Sequence, residues 1–453
     1  MKKIIALIVC TALIISSLSF SVFAEDEIKV VIDGEELEMD VSPAIINGRT
    51  MVPLRAIFEY FGAKIDWWQD TKRIYAYLGS VCISMSVGRD TASINYKKVT
   101  LDSPAVIIDG RTLVPVRVVA EAFGAEVSWV AETKTVVITT AYPKKDTEPV
   151  KEFDKYKIST SESDFENFDF VIDENKLTIS GKFGKPEFDS ILLEISKEQK
   201  LKDADSEGRI NLTVNLDELG IGGPTPITLY HNIPGENMYR SYINDTIVIT
   251  KDGDGYCFQK PLAYDKNIEF LSKWTTPSAF LNFTIDEEIK AMSDEICKGI
   301  EDPYQKVKAL HEWMCENIYY DYDYFYKKSN QHYYSDKEVF EARRTVCGGY
   351  ANLLASLIRA QGIPCRKIVG FALGLGLAKQ WTEETVNGNE VNHGWVQAYI
   401  DNRWVTIDST WDTGNKFVDG VMTYEGLENY LHFDTSLEFA SSSHKFMSVE
   451  NEL

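Results

Sequence analysis

Cysteine is scarce in this chain, with seven among 453 residues: Cys10, Cys82, Cys257, Cys297, Cys315, Cys347 and Cys365. None sits at metal-binding spacing from another, which argues against a zinc site, and so few in so long a chain argue against a disulfide-built scaffold. Positive charge is also in deficit. Lysine and arginine number 47 against 69 acidic residues, a formal net charge of −22, so nucleic acid and anionic membranes are poor partners on bulk electrostatics. The acidity serves solubility and suits cationic, amine-bearing partners. Long apolar runs are missing beyond the first residues, and nothing later approaches the ~20 residues that span a bilayer.

The chain's start has its own pattern. Lys2 and Lys3, the apolar stretch Ile4 to Ile15, and Val22-Phe23-Ala24 before an acidic segment read as a secretory signal over residues 1–24, cleaved after Ala24. Cys10 lies inside it, and bulky Val9 before it does not suit lipid modification. The expected product is secreted or extracellular and associated with the cell surface, with no transmembrane segment in the mature chain. Its length predicts about three domains.

Residues 25–140 contain an internal repeat. PAIINGRTMVPLRAIFEYFGAKIDWW aligns with PAVIIDGRTLVPVRVVAEAFGAEVSWV, so that Gly48, Arg49, Pro53, Arg55, Phe61, Gly62 and Trp67 recur at Gly110, Arg111, Pro115, Arg117, Phe123, Gly124 and Trp129. Equal punctuation at an offset of about sixty residues predicts a duplicated unit of strand, helix and strand, with Pro in the first helical turn and Gly at the helix end. The arginines are expected to bind backbone carbonyls or carboxylates within each repeat; a ligand is the alternative. The two units resemble the domain named after the N-terminal region of copper amine oxidases. That resemblance implies surface presentation or attachment to a cell-envelope polymer. Neither unit contains a histidine, so no copper site is expected.

A polar linker, residues 141–155, leads to a segment of short strands divided by turns over residues 156–262: KLTISGKF, SILLEISK, RINLTVNL, PITLYHN and DTIVITKDGDGYCF. This spacing predicts an immunoglobulin-like sandwich. Asp252-Gly-Asp254-Gly begins like a calcium loop, but its twelfth position is Ala263 instead of Glu, so a hairpin turn is expected.

The last segment, residues 263–453, carries the chemistry. Asp302 and Pro303 are placed as cap and first residue of a helix whose apolar stripe is Val307, Leu310, Met314 and Ile318; His311 is expected on its opposite, solvent-facing side. In RTVCGGYANLLASLIRAQGI the apolar spacing from Tyr350 puts Cys347 at a helix start. Unpaired N–H groups and the helix dipole there favour thiolate, and Gly348 and Gly349 leave space for a substrate backbone. The alternating runs HGWVQAYI and RWVTIDSTW around Asp401-Asn402 predict a two-residue hairpin. In that register Trp395 faces Asp408 and His393 faces Thr410, so His393 and Asp408 share a face as diagonal neighbours at a Cα separation of roughly 7–8 Å, a gap their side chains can bridge with a hydrogen bond. A thiol, an imidazole and a carboxylate are the parts of nucleophile, base and orienting group.

Together with DPYQKVKALHEWMCENIYYDYDY and YLHFDTSLEF, these motifs resemble the transglutaminase-like superfamily over roughly residues 285 to 440. The resemblance implies a papain-like fold with catalytic Cys347, His393 and Asp408, no cofactor and no metal, and a protein or peptide substrate attacked through a Cys thioester that is passed to water or an amine. It also implies an oxyanion donor upstream of the cysteine, for which Tyr319, Tyr320 and Trp313 are the candidates. The alternative is a non-catalytic surface binding or adhesion protein using a papain-like domain. The expected fold is therefore multidomain: an α+β duplicated N-terminal domain, an all-β immunoglobulin-like sandwich, and an α+β papain/transglutaminase-like C-terminal domain.

Overall fold

The computed structural model describes residues 28–140, 153, 155–159, 168–183, 187–253, 255–272, 277–281, 283–374 and 380–450. The signal segment with Cys10, and most of the linker at 141–155, lie outside the described residues. The described chain is mostly strand, arranged in seven sheets. No helix among the described residues is long and apolar enough to cross a membrane.

The two segments of the N-terminal repeat take the same local course. Hairpins Ala44–Ile46/Arg49–Pro53 and Val106–Ile108/Arg111–Pro115 each run into a seven-residue helix, Leu54–Tyr60 and Val116–Ala122. Each proline stands one residue before its helix, as the cap, not inside the first turn. The helices stop at Gly62 and Gly124, whose φ angles of 74° and 83° suit glycine. The hairpins meet antiparallel in a symmetric register, Val52 opposite Val114 with Pro53 opposite Leu113 and Met51 opposite Pro115, and Phe61 and Phe123 pack with ring centroids 5.1 Å apart. Arg49 bonds Asp102 through Nε at 2.7 Å and Arg111 bonds Asp40 at 2.6 Å. Arg49 and Arg111 thus bind carboxylates across the two units, while Arg55 and Arg117 stay within their own repeats, 3.6 Å from Glu59 and 3.7 Å from Glu121, with Arg117 also donating to the Val127 carbonyl at 3.4 Å. The pairs across the units are solvent-exposed and fix the mutual register more than they add stability.

The middle segment places two antiparallel sheets around one core that includes Phe168, Phe170, Leu177, Ile191, Leu229 and Ile247. Strands Lys155–Lys157, Phe168–Asp173 and Glu198–Asp203 join those expected from sequence. The last is exposed at all six positions. It is an edge strand whose charged residues discourage further pairing, and it has no buried face to leave an alternating pattern.

In the C-terminal segment a four-stranded antiparallel sheet, in the order Arg403–Ile407, His393–Ile400, Cys365–Ala372 and His444–Val449, lies against the helix Cys347–Ala360. Tyr350, Leu353, Leu354, Leu357 and Ile358 of the helix share a core with Val396, Ala398 and Ile407 of the sheet. Asp401 and Asn402 turn the hairpin with φ of 51° and 60°, values that match the strand twist. The other face of the sheet, with Ile368, Trp395 and Phe446, joins the N-terminal core through Phe270 and Phe280. Ser80 adds two bonds to the Ala279 carbonyl, from N–H at 2.7 Å and Oγ at 2.8 Å.

Candidate active site

Cys347 is the first residue of its helix and is partly exposed, while His393 opens a central strand and Asp408 follows the strand that ends at Ile407. The hairpin register runs from Ile400 opposite Arg403 to Val396 opposite Ile407. Beyond it the expected pairs Trp395–Asp408 and His393–Thr410 do not form. Asp408 leaves the sheet and caps the one-turn helix Ser409–Asp412, with its Oδ1 accepting the Thr410 N–H at 3.0 Å. The two side chains meet as expected: His393 Nε2 lies 2.5 Å from Asp408 Oδ2.

With Nε2 engaged, the remaining ring nitrogen, Nδ1, is buried without a hydrogen-bond partner and is the nitrogen free to serve the Cys347 sulfur, which lies 4.0 Å from the Asn392 carbonyl. Burial raises the thiol's proton affinity, but the charge of the His393 ring and the Gly394 N–H outweigh this, so Cys347 is held below the ordinary cysteine range. Burial also opposes charge on His393, and the charges of Asp408 and Cys347 more than reverse it, raising its affinity for the proton. Both shifts act in favour of the thiolate and of the charged ring beside it. Asn392, the residue before His393, is tied to the neighbouring strand: its side chain bonds both the N–H and the C=O of Ala372, at 2.7 and 3.0 Å.

Gly348 and Gly349 have a nearer reason than substrate clearance. A Cβ on Gly349 would lie 2.1 Å from Thr345 Oγ1, and one on Gly348 would lie 2.7 Å from the Tyr334 ring. The glycines let the first helical turn pack against its own domain.

A histidine that sequence reasoning missed completes the site. His444 Nε2 lies 3.2 Å from the same Asp408 Oδ2, and its Nδ1 lies 2.8 Å from Ser443 Oγ. Burial lowers its pKa to about 4 against the pull of Asp408, so the ring is neutral at ordinary pH, donating from Nε2 and accepting the serine hydroxyl at Nδ1. Burial would raise Asp408, but the His393 charge and the two histidine bonds hold it far below the carboxylate range. The ligand atoms of His393, Asp408 and His444 lie within 4.8 Å of one another, yet one oxygen already accepts both ring N–H groups, so the cluster is accounted for as a hydrogen-bond relay. His444→Leu is expected to lower kcat roughly ten- to a hundredfold, since a bond to a charged group contributes roughly 1.5–3 kcal/mol, and to move the alkaline limb of activity to higher pH because Asp408 then bears on His393 alone. His444→Gln, which can offer an N–H from a similar position, should stay within a few-fold of wild type. A role confined to packing would lower kcat without moving the limb.

His311 does not face solvent. It is fully buried, with Nδ1 2.8 Å from Ser409 Oγ and Nε2 3.2 Å from Asp412 Oδ2, while Asp412 Oδ1 meets His432 Nδ1 at 2.9 Å. The spacing explains this, since residues 307, 311, 314 and 318 form one helical stripe. A second histidine–carboxylate–histidine relay therefore braces the short helix one turn beyond Asp408. Of the three upstream aromatics, Trp313 stacks on Phe340 under Arg343. Tyr320 is buried, which raises its phenol, and the charge of Cys347 adds to that rise.

Residues 290–409 match the transglutaminase-like superfamily and residues 31–138 match the copper amine oxidase N-terminal domain. The latter stretch has no histidine and a single cysteine, Cys82, so its residues do not fit copper. Mouse kyphoscoliosis peptidase is 27% identical over 131 residues, 29% of this chain and 19% of its own length. YebA of Bacillus subtilis is 25% identical over 133 residues, 28% of this chain and 18% of its own. The chain thus spans less than a fifth of these curated relatives. The periplasmic domain of TgpA from Pseudomonas aeruginosa shares 14% identity over 53% of this chain and 72% of that one, with a TM-score of 0.23, too low for the likeness to bear on function.

Proposed function

We propose that the transglutaminase-like domain of this chain is a thiol acyltransferase or peptidase that attacks amides of protein or peptide through a Cys347 thioester. The observation that carries this is the 2.5 Å contact between His393 Nε2 and Asp408 Oδ2, which leaves Nδ1 to the sulfur and keeps the thiol depressed. The thiolate adds to the amide carbonyl carbon, and the oxyanion is met by N–H groups at the start of the helix, with the Tyr320 phenol as the upstream donor. Collapse of this adduct breaks the C–N bond as His393 gives its Nδ1 proton to the departing amine. Water or a second amine, deprotonated by the same nitrogen, then attacks the thioester and restores the thiolate. The peptidase name of the mouse relative supports water as the acceptor.

The sequence of the first 24 residues supports export, and the repeats support retention at the cell surface, with the immunoglobulin-like sandwich as a spacer. The test is mass spectrometry of the Cys347 peptide after quenching a reaction with mixed extracellular proteins, with and without a labelled primary amine. An acyl adduct on Cys347 is expected, and labelled products appear if amines compete with water. Absence of both adduct and product across the substrate panel would overturn the proposal.

A further inference from the structure

Gly348, Asn352, Ser356 and Arg359 follow one another at i, i+4, i+8 and i+11, a single stripe of the cysteine helix that starts beside the thiol. Along that stripe lies a cavity of about 740 Å³, whose lining includes Asn352, Ser356 and Tyr334 from the C-terminal domain and Ser80, Asn95 and Tyr96 from the N-terminal repeat. The Tyr334 ring is the side chain against which Gly348 packs, so the cavity begins one ring away from the helix start. The facing wall is a turn. Asn95 and Tyr96, with φ of 48° and 63°, join strands Thr91–Ile94 and Lys97–Thr100, and Asn95 is tied by its N–H and Oδ1 to the backbone of Cys82, both at 2.8 Å. Tyr96 is held on this pinned turn with 84% of its surface exposed.

The charges around this cavity already have partners. Lys367 bonds Tyr334 Oη at 2.7 Å and Asn352 Oδ1 at 2.8 Å and pairs with Glu450. Asp336 accepts Ser356 Oγ at 2.6 Å. Arg359 donates to the Cys365 carbonyl at 2.8 Å and lies 3.7 Å over the Phe283 ring. A charged side chain entering here would lose its hydration and compete with the Lys367–Glu450 pair for partners already engaged, whereas a neutral hydroxyl or amide group would meet hydroxyl and amide groups at a smaller desolvation cost. A cavity of this size suits a few residues of chain.

We infer that this interdomain cavity is a subsite for the stretch of polypeptide flanking the attacked amide, selective for neutral hydrogen-bonding side chains, and that the N-terminal repeat supplies its outer wall through Tyr96. The inference rests on the proposed amide chemistry, which is why the occupant is a peptide and not a glycan. It gives the repeat a part in substrate choice.

The test uses the full mature chain carrying Cys347→Ser, so that binding is read without turnover, and fluorescence anisotropy of a labelled synthetic peptide of Gly, Ser, Asn and Gln. Tyr96→Gly leaves Asn-Gly, the pair best suited to such a turn, and unchanged thermal unfolding confirms that the fold is kept. Removing the ring is expected to weaken the peptide about tenfold, as for a central aromatic contact. Replacing the peptide's Gln residues with Glu or Lys should also weaken it. Equal binding by wild type and Tyr96→Gly would overturn the inference, as would capture of a neutral oligosaccharide with no binding of the peptide. Because these measurements need no thioester, failure of the catalytic proposal would leave them readable, and failure of this subsite would leave the catalytic proposal standing.

Discussion

Asp408→Asn is expected to lower turnover about ten-thousandfold, the size of the effect of the equivalent change in a serine triad, while the chain still folds. In the wild type Oδ2 accepts N–H groups from both His393 and His444, and Oδ1 accepts the Thr410 N–H. Asparagine offers one acceptor and one donor in their place. If its NH₂ faces the histidines, His393 must accept at Nε2 and carry its proton on Nδ1, the nitrogen that has to take a proton during the reaction. If its oxygen faces the histidines, the NH₂ meets the Thr410 N–H, and a buried donor goes unmet at about 1–3 kcal/mol. Charge acts in the same direction. Burial opposes the imidazolium, and the Asp408 charge does most to sustain it, so without the carboxylate His393 loses its proton at lower pH and the alkaline limb of activity moves down. The measurement is the pH dependence of acyl-enzyme formation beside a thermal melt. Full activity with an unmoved limb would remove Asp408 from the mechanism.

What the sequence made legible follows from local periodicity. Cys347 is placed by the apolar spacing of its own helix, and His393 and Asp408 belong to one hairpin whose turn residues declare themselves, so short-range rules reach them. The exit of Asp408 from its strand was not legible, because its N–H is taken by the His432 carbonyl, a contact made by a distant loop. His444 escaped for the same reason. It arrives on a strand paired with Cys365–Ala372 through Ala372 opposite His444, and no spacing in the sequence links it to Asp408. His311 was legible by spacing, since it lies between Val307 and Met314 on a buried stripe of its helix, and its polarity alone pointed outward. A polar residue within an apolar stripe signals a buried partner, here Asp412.

His393→Ala separates the chemistry of the sulfur from its placement. In the wild type, alkylation of Cys347 by iodoacetamide should stay nearly level from mildly acidic to alkaline pH, since the thiol is held below its ordinary range by the histidine. With the ring gone, burial and the negative charge of Asp408 remain, and both raise the thiol. An ordinary thiol near 8.5 exposes only about one thiolate in 300 at pH 6, and this one should expose fewer. Part of the loss is returned because a thiolate of higher basicity is the better nucleophile, with a Brønsted slope of about 0.4–0.5. The net fall at pH 6 is therefore roughly ten- to a hundredfold, and the two profiles should approach and cross at alkaline pH. Peptide mapping keeps the signal specific to Cys347, since Cys82, Cys297, Cys315 and Cys365 are buried and Cys257 is part-exposed. A wild-type profile that climbs with pH like an ordinary thiol would show that the sulfur and the ring are not paired, and the thioester chemistry would lose its nucleophile.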